Sequence, residues 1–217
     1  MDLKRKVSIT FGILLISGII FGILSSVPAL EKQNYLSVLS SIKLQVLMAA
    51  FFQFAMAVVY VYIAVLLFPV LKQYNERIAL GYFAFRIIGA MFLFIGIVSL
   101  LLLLFISQSF ASAGQPDPSH FQTIGQLLRA GRDWMNHVAM ILPWSIGGML
   151  LYYGFLRMRI VPLWLSIWGL TGSILTLLAT CMLMFDLIQI VTPVYFILLI
   201  PTAVFELVLA VYMIIKR

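Results

Sequence analysis

The sequence predicts an all-α fold, a polytopic integral membrane protein built as a bundle of six transmembrane helices with one amphipathic helix at the outer interface. Three observations predict it. Of 217 residues, 64% are hydrophobic and 10% charged, and the mean hydropathy is +1.13. A soluble domain of that size cannot keep so much apolar surface from water. The apolar residues gather into six stretches of about 20 residues, the length that crosses a ~30 Å hydrocarbon core as a helix. The basic residues fall at the ends of those stretches, so the formal charge of +7 reads as topology and contact with anionic headgroups rather than as a nucleic-acid surface.

The first span covers about residues 7–25 and follows Lys4, Arg5 and Lys6. Its apolar core of about 18 residues is longer than the roughly 7–15 of a cleaved signal peptide, so it is expected to be retained. Ser26, Pro28 and the polar run Glu31, Lys32, Gln33, Asn34 break it. The second span, about 44–68, is expected to stop before Pro69, and Lys72 to Arg77 form a short polar turn. The third runs over about 78–106. A polar connection follows, and then an amphipathic segment over about 121–136. There Ile124, Leu127, Leu128, Trp134 and Met135 recur near helical spacing, between Arg129, Arg132 and Asp133. That pattern predicts a helix lying along the outer interface, continuing toward the fourth span. Spans four to six cover about 138–156, 163–184 and 194–215. The whole of 1–217 reads as one membrane domain.

With six spans, Lys4, Arg5, Lys6, Lys72, Arg77, Arg157, Arg159, Lys216 and Arg217 share one side, and Lys32, Lys43, Arg129 and Arg132 the other. The excess places both termini in the cytoplasm.

Arg86 lies inside the third span, where a guanidinium is costly unless something pairs with it. It falls about 14 Å along its helix from Arg77, at ~1.5 Å per residue. Glu206 falls about 15 Å from Lys216 by the same rise. The matching depths make the two the expected lining of a polar pocket opening to the cytoplasm. Tyr82, one turn before Arg86, and Gln53 in the second span are further candidate ligand-binding residues. Gly89 and Ala90 beside Arg86, and Thr202, Ala203 and Ala210 beside Glu206, are small enough to let helices approach. Pro201 frees a carbonyl near Ile197 and predicts a bend. An Arg–Glu pair at this depth also has a purely architectural reading, locking the third span against the sixth.

Asp133, His137 and Asp186 form a second constellation at the outer face, with His120 as a further donor, and would suit a divalent metal. A hydrogen-bonded interfacial cluster is the competing reading, and a haem is disfavoured because His120 lies in a loop. Gly18 and Gly22 make a G-x-x-x-G, a motif of tight packing or of a homo-oligomer, and Gly169 with Ser173 a related pair. Cys181 is alone, so there is no disulfide framework. No G-x-S-x-G and no phosphate-binding glycine loop is present. Seven acidic residues and two histidines leave little material for intramembrane hydrolysis. No cofactor is called for.

Three stretches resemble an uncharacterised bacterial family of six-helix membrane proteins, domain-of-unknown-function family 4386. The run from Glu76 through Tyr82 to Arg86 is similar to the family's entry into the third helix. Arg157, Arg159, Pro162, Trp164 and Leu165 resemble its turn between the fourth and fifth helices, and Pro201 to Lys216, with Glu206, its last helix. Asp133 and Trp134 look like its outer Asp-Trp. This chain carries Arg132 where the family has His, and Gly89 where a Glu often follows the motif arginine; both departures weaken the metal reading. The resemblance implies a multi-pass protein of the bacterial cytoplasmic membrane, and brings no activity with it.

The expected function is therefore to bind, sense or transport a small molecule or lipid at a pocket near Arg86 and Glu206, with membrane lipids as partners. The alternatives are a membrane-embedded, metal-dependent enzyme acting through Asp133, His137 and Asp186, and an interaction protein docking through Gly18 and Gly22.

Overall fold

The structure is a computed structural model that describes residues 3–113, 119–190 and 192–216. Those residues are helical apart from short connections. The elements are α1 (Leu3–Leu24), α2 (Tyr35–Ser41), α3 (Lys43–Lys72), α4 (Glu76–Ser112), α5 (Ser119–Trp134), α6 (Ile141–Met158), α7 (Leu163–Met184) and α8 (Pro193–Ile215). A 3₁₀ turn (Pro28–Glu31) precedes α2, and a π-turn (Met135–Ala139) joins α5 to α6. Six helical segments are long and apolar enough to cross a membrane, so the chain is a multi-pass membrane protein: Arg5–Leu24, Lys43–Lys72, Glu76–Ser112, His120–Met158, Leu163–Met184 and Pro193–Ile215.

The spans close into a ring. α1 packs on α3, α3 on α4, α4 on α6, α6 on α7, α7 on α8, and α8 returns to α1. Gly12 sits against the Ala210 carbonyl and Ile214, which is where α1 and α8 seal it. The ring's interior is filled by large side chains from every span, among them Phe11, Tyr60, Tyr82, Tyr152, Leu165 and Phe205. The start of α1, the end of α8, the Lys72–Arg77 turn and the α6–α7 turn share one end of the bundle, here called the terminal end. Lys216 Nζ donates to Ile160 O, and Arg157 Nε donates to Tyr74 Oη at 3.2 Å, tying that end together.

Three elements differ from the sequence expectation. α3 does not stop before Pro69 but continues to Lys72. Its last turn buries Leu71 against Gly154, which offsets part of the cost of the missing Pro69 N–H. The turn is then clipped by the Lys72–Glu76 ion pair at 2.8 Å and by Asn75, whose Oδ1 accepts from Arg77 N and Ile78 N. α2 is an added short helix, anchored by buried Tyr35, Leu36 and Leu39.

The amphipathic segment is α5, and it stands upright instead of lying flat. α4 has 37 residues, so it is about 55 Å long and overreaches a ~30 Å hydrocarbon core. α5, the π-turn and α6 form one antiparallel partner along it. Phe110 meets Phe121, Gly96 meets Asn136, Gly89 meets Trp144 and Gly81 meets Leu150. The apolar face of α5 therefore covers the distal end of α4 and α2, where Leu128 and Phe121 join Leu36, Leu39, Leu100 and Leu103.

Candidate functional site

α4 places Tyr82 and Arg86 four residues apart, hence on one helix face, and turns that face into the ring. Both are buried, Arg86 with 5% of its surface left exposed. Aromatic rings from three helices surround the guanidinium. Arg86 Cζ lies 5.4 Å from the ring centre of Trp144 on α6, 5.5 Å from Tyr82 and 5.7 Å from Tyr60 on α3. Tyr60 and Trp144 lean on one another with centroids 4.3 Å apart. Ring faces carry partial negative charge, so this cage offsets part of the cost of holding a cation away from water.

Glycines make the cage possible. A Cβ on Gly89 would stand 2.2 Å from Trp144 Cδ1, so only glycine leaves room for that indole. Gly147 lies against the Tyr82 carbonyl and Arg86 Cγ, which lets α6 approach α4 closely. Gly89, expected to bring helix backbones together, does so against the Met140 carbonyl and also admits the Trp144 side chain.

Glu206 comes in from α8. Its carboxylate is within electrostatic range of Arg86, Tyr60, Tyr82 and Tyr152. It does not form an ion pair with Arg86. The ion pairs among the described residues are Lys72–Glu76, Arg129–Glu31 and Arg132–Asp133. Depth thus brings the two charges into one buried region without a direct ion pair. Three enclosed donors there, Tyr82 Oη, Arg86 Nε and Trp144 Nε1, have no acceptor among the described residues. Ser166 Oγ on α7 is likewise unpartnered. Behind Glu206, Trp168 Nε1 donates to Pro201 O at 3.1 Å, and Thr176 and Thr202 hydroxyls meet at 2.7 Å, so the α7–α8 seam spends its polar groups internally.

Gln53 does not join the cage. It sits two helical turns from Tyr60, about 10 Å farther along α3. Its Nε2 donates to Leu93 O and to Asn136 Oδ1, each at 3.0 Å, in a niche that Gly96 leaves open. That amide is spent on tying α3, α4 and the π-turn together. Gly18 and Gly22 face Tyr60 and Met56 of the same chain, so their groove is occupied by α3.

Asp133, His137 and Asp186 are not gathered into a metal-binding group among the described residues. Asp133 pairs with Arg132 at 3.3 Å, His137 Nδ1 shares a 3.0 Å hydrogen bond with Tyr195 Oη, and Asp186 is exposed in a left-handed turn after α7. His120, the further donor, is exposed at the start of α5.

Tyr60, Trp144 and Tyr152 are the site residues that sequence reasoning passed over. A signal existed for Trp144: it lies inside the fourth span instead of at a helix end, where tryptophans of membrane proteins collect.

No curated protein and no solved structure matches the chain. A family model does, from residue 10 to residue 216, which is nearly the whole length. The chain belongs to the family described as "Domain of unknown function (DUF4386)".

Proposed function

We propose that this protein holds the polar group of a small molecule or lipid between Arg86 and Glu206, with Tyr82, Tyr60 and Trp144 as walls, in order to sense or move it. The observation that carries this reading is the set of unspent donors around a buried guanidinium. Buried polar groups in a finished structural joint are normally satisfied, because each unmet donor costs about 1–3 kcal/mol. Here Arg86 Nε, Tyr82 Oη and Trp144 Nε1 have no acceptor among the described residues, and Glu206 does not pair with the arginine. Such a chamber offers hydrogen-bond donors and a positive charge to an acceptor oxygen, and a negative charge to a donor or cation. The excess of basic residues at the terminal end supports a cytoplasmic placement of that end, in the bacterial cytoplasmic membrane.

The test is to purify the full chain in mild detergent and identify what copurifies by native mass spectrometry. Arg86→Met and Glu206→Gln are expected to lose the bound species while remaining folded. If instead each single change destabilises the protein, and the charge-exchanged double variant restores it with no change in what copurifies, the pair is a helix lock and the reading fails.

A further inference from the structure

We propose that the groove between the α6–α7 turn and the end of α8 binds the phosphate of an anionic phospholipid. This site is separate from the Arg86 chamber and does not rest on it. The groove encloses about 530 Å³. Its walls include Ile160, Pro162, Leu163 and Tyr212, its cations are Arg159 and Lys216, and among the described residues no carboxylate lines it.

The two cations are held there by different means. Arg159 ends α6 with φ 54° and ψ 38°, the left-handed position at which helices usually carry glycine. A side chain at that position is strained, yet the residue there is an arginine and it lines the groove. Lys216 is held in the groove by its bond to Ile160 O, and Nζ lies 5.8 Å from the Tyr212 ring centre. An ammonium has three donors, so two remain for a ligand.

Charge pairing elsewhere sharpens the contrast. At the distal end Arg129 is paired with Glu31 and Arg132 with Asp133. The Arg159 side chain has no ion pair or hydrogen bond among the described residues. Leu163, the first residue of a helix with no side-chain cap, also lines the groove.

The surroundings favour a lipid over a soluble anion. Leu163, Trp164 and Ile215, in or beside the groove lining, are 65%, 55% and 67% exposed. In a membrane protein such side chains face acyl chains and the headgroup boundary, so a phospholipid meets cations and apolar surface together.

The experiment is native mass spectrometry of the detergent-solubilised full chain with dioleoyl phosphatidylglycerol, dioleoyl phosphatidylcholine or inorganic phosphate as probe. Phosphatidylglycerol is expected to be retained in preference to phosphatidylcholine. Arg159→Gln and Lys216→Gln should each weaken that retention about fivefold, the effect of one cation near an anionic headgroup, and together about thirtyfold. Lys32→Gln and Lys43→Gln, at the other end, should leave it unchanged. Arg159→Gly gives the separating readout: it relieves the left-handed strain, so thermal stability holds or rises while phosphatidylglycerol retention still falls. Equal retention by the double variant overturns the proposal. So does equal retention of phosphatidylcholine, or displacement of the lipid by inorganic phosphate at equal concentration, which would mark a simple anion site.

Discussion

Two buried polar clusters lie about 10–15 Å apart along the same helices, and they are finished differently. Near the distal end, Gln53 gives its amide hydrogens to Leu93 O and Asn136 Oδ1, and Gly96 opens the niche. Nearer the terminal end, Arg86 is caged by rings, its Nε is unmet among the described residues, and it forms no ion pair with Glu206. The same bilayer that makes an unsatisfied amide expensive makes an unsatisfied guanidinium more so. Completion in one cluster and its absence in the other separate a finished joint from a cluster whose donors are unmet among the described residues.

The largest break should come from the joint. A Cβ on Gly96 would lie 2.2 Å from Asn136 Oδ1, so Gly96→Ala must push the amide pair apart. It is expected to cost about 2–3 kcal/mol in thermal unfolding in detergent, from overpacking plus a lost hydrogen bond. Asn136→Ala removes the acceptor without overpacking and should cost about 1 kcal/mol. Arg86→Met should fall within about 0.5 kcal/mol of the parent, or stabilise it, because an unpaired buried charge is replaced by a side chain that packs. A loss of several kcal/mol at Arg86 would make both clusters joints and erase the contrast.

Gly89→Ala sharpens it from the other side. The new methyl displaces the Trp144 indole from the cage, so binding of whatever the chamber holds should weaken more than global stability does. Binding measured beside the unfolding temperature checks this.

The smallest effect lies outside the membrane. Arg157 donates to Tyr74 Oη, and Tyr153 adds to it, holding the Tyr74 phenol below its ordinary value of 10.0. A depressed folded-state value contributes stability above the unfolded value, which is lost as pH falls through the folded one, so the window is alkaline. Arg157→Gln should return the tyrosinate transition, followed by ultraviolet absorbance, toward the ordinary value. Because Tyr74 is solvated, stability at neutral pH should not change.

Much of the fold was legible along the chain. The six spans and the turn at Lys72 to Arg77 follow from where charge interrupts apolar runs. Arg86 and Glu206 were legible as charges at one depth, since depth is residue count times helix rise. The path of α3 through Pro69 was not, because it depends on Leu71 finding Gly154, a residue 83 positions away. The upright pose of α5 was not either: its amphipathic pattern fits a membrane surface as well as the overhanging end of α4. Gln53 reads as pocket lining until Asn136 is seen opposite it.

By itself, then, the sequence determined solvent: which segments sit in lipid, which residues mark the ends, and how deep each charge lies. Partition into a bilayer depends on composition over a window of about 20 residues, so it can be read locally. The tertiary structure decided azimuth, meaning which rings turn toward Arg86, which amide is already spent, and which two cations flank a groove. These spans are apolar on nearly every face, and lipid tails are as apolar as a neighbouring helix, so no hydrophobic stripe marks the inside. The faces are chosen by shape instead, at the glycines where a side chain or a helix fits, and shape complementarity exists only between helices that have already met.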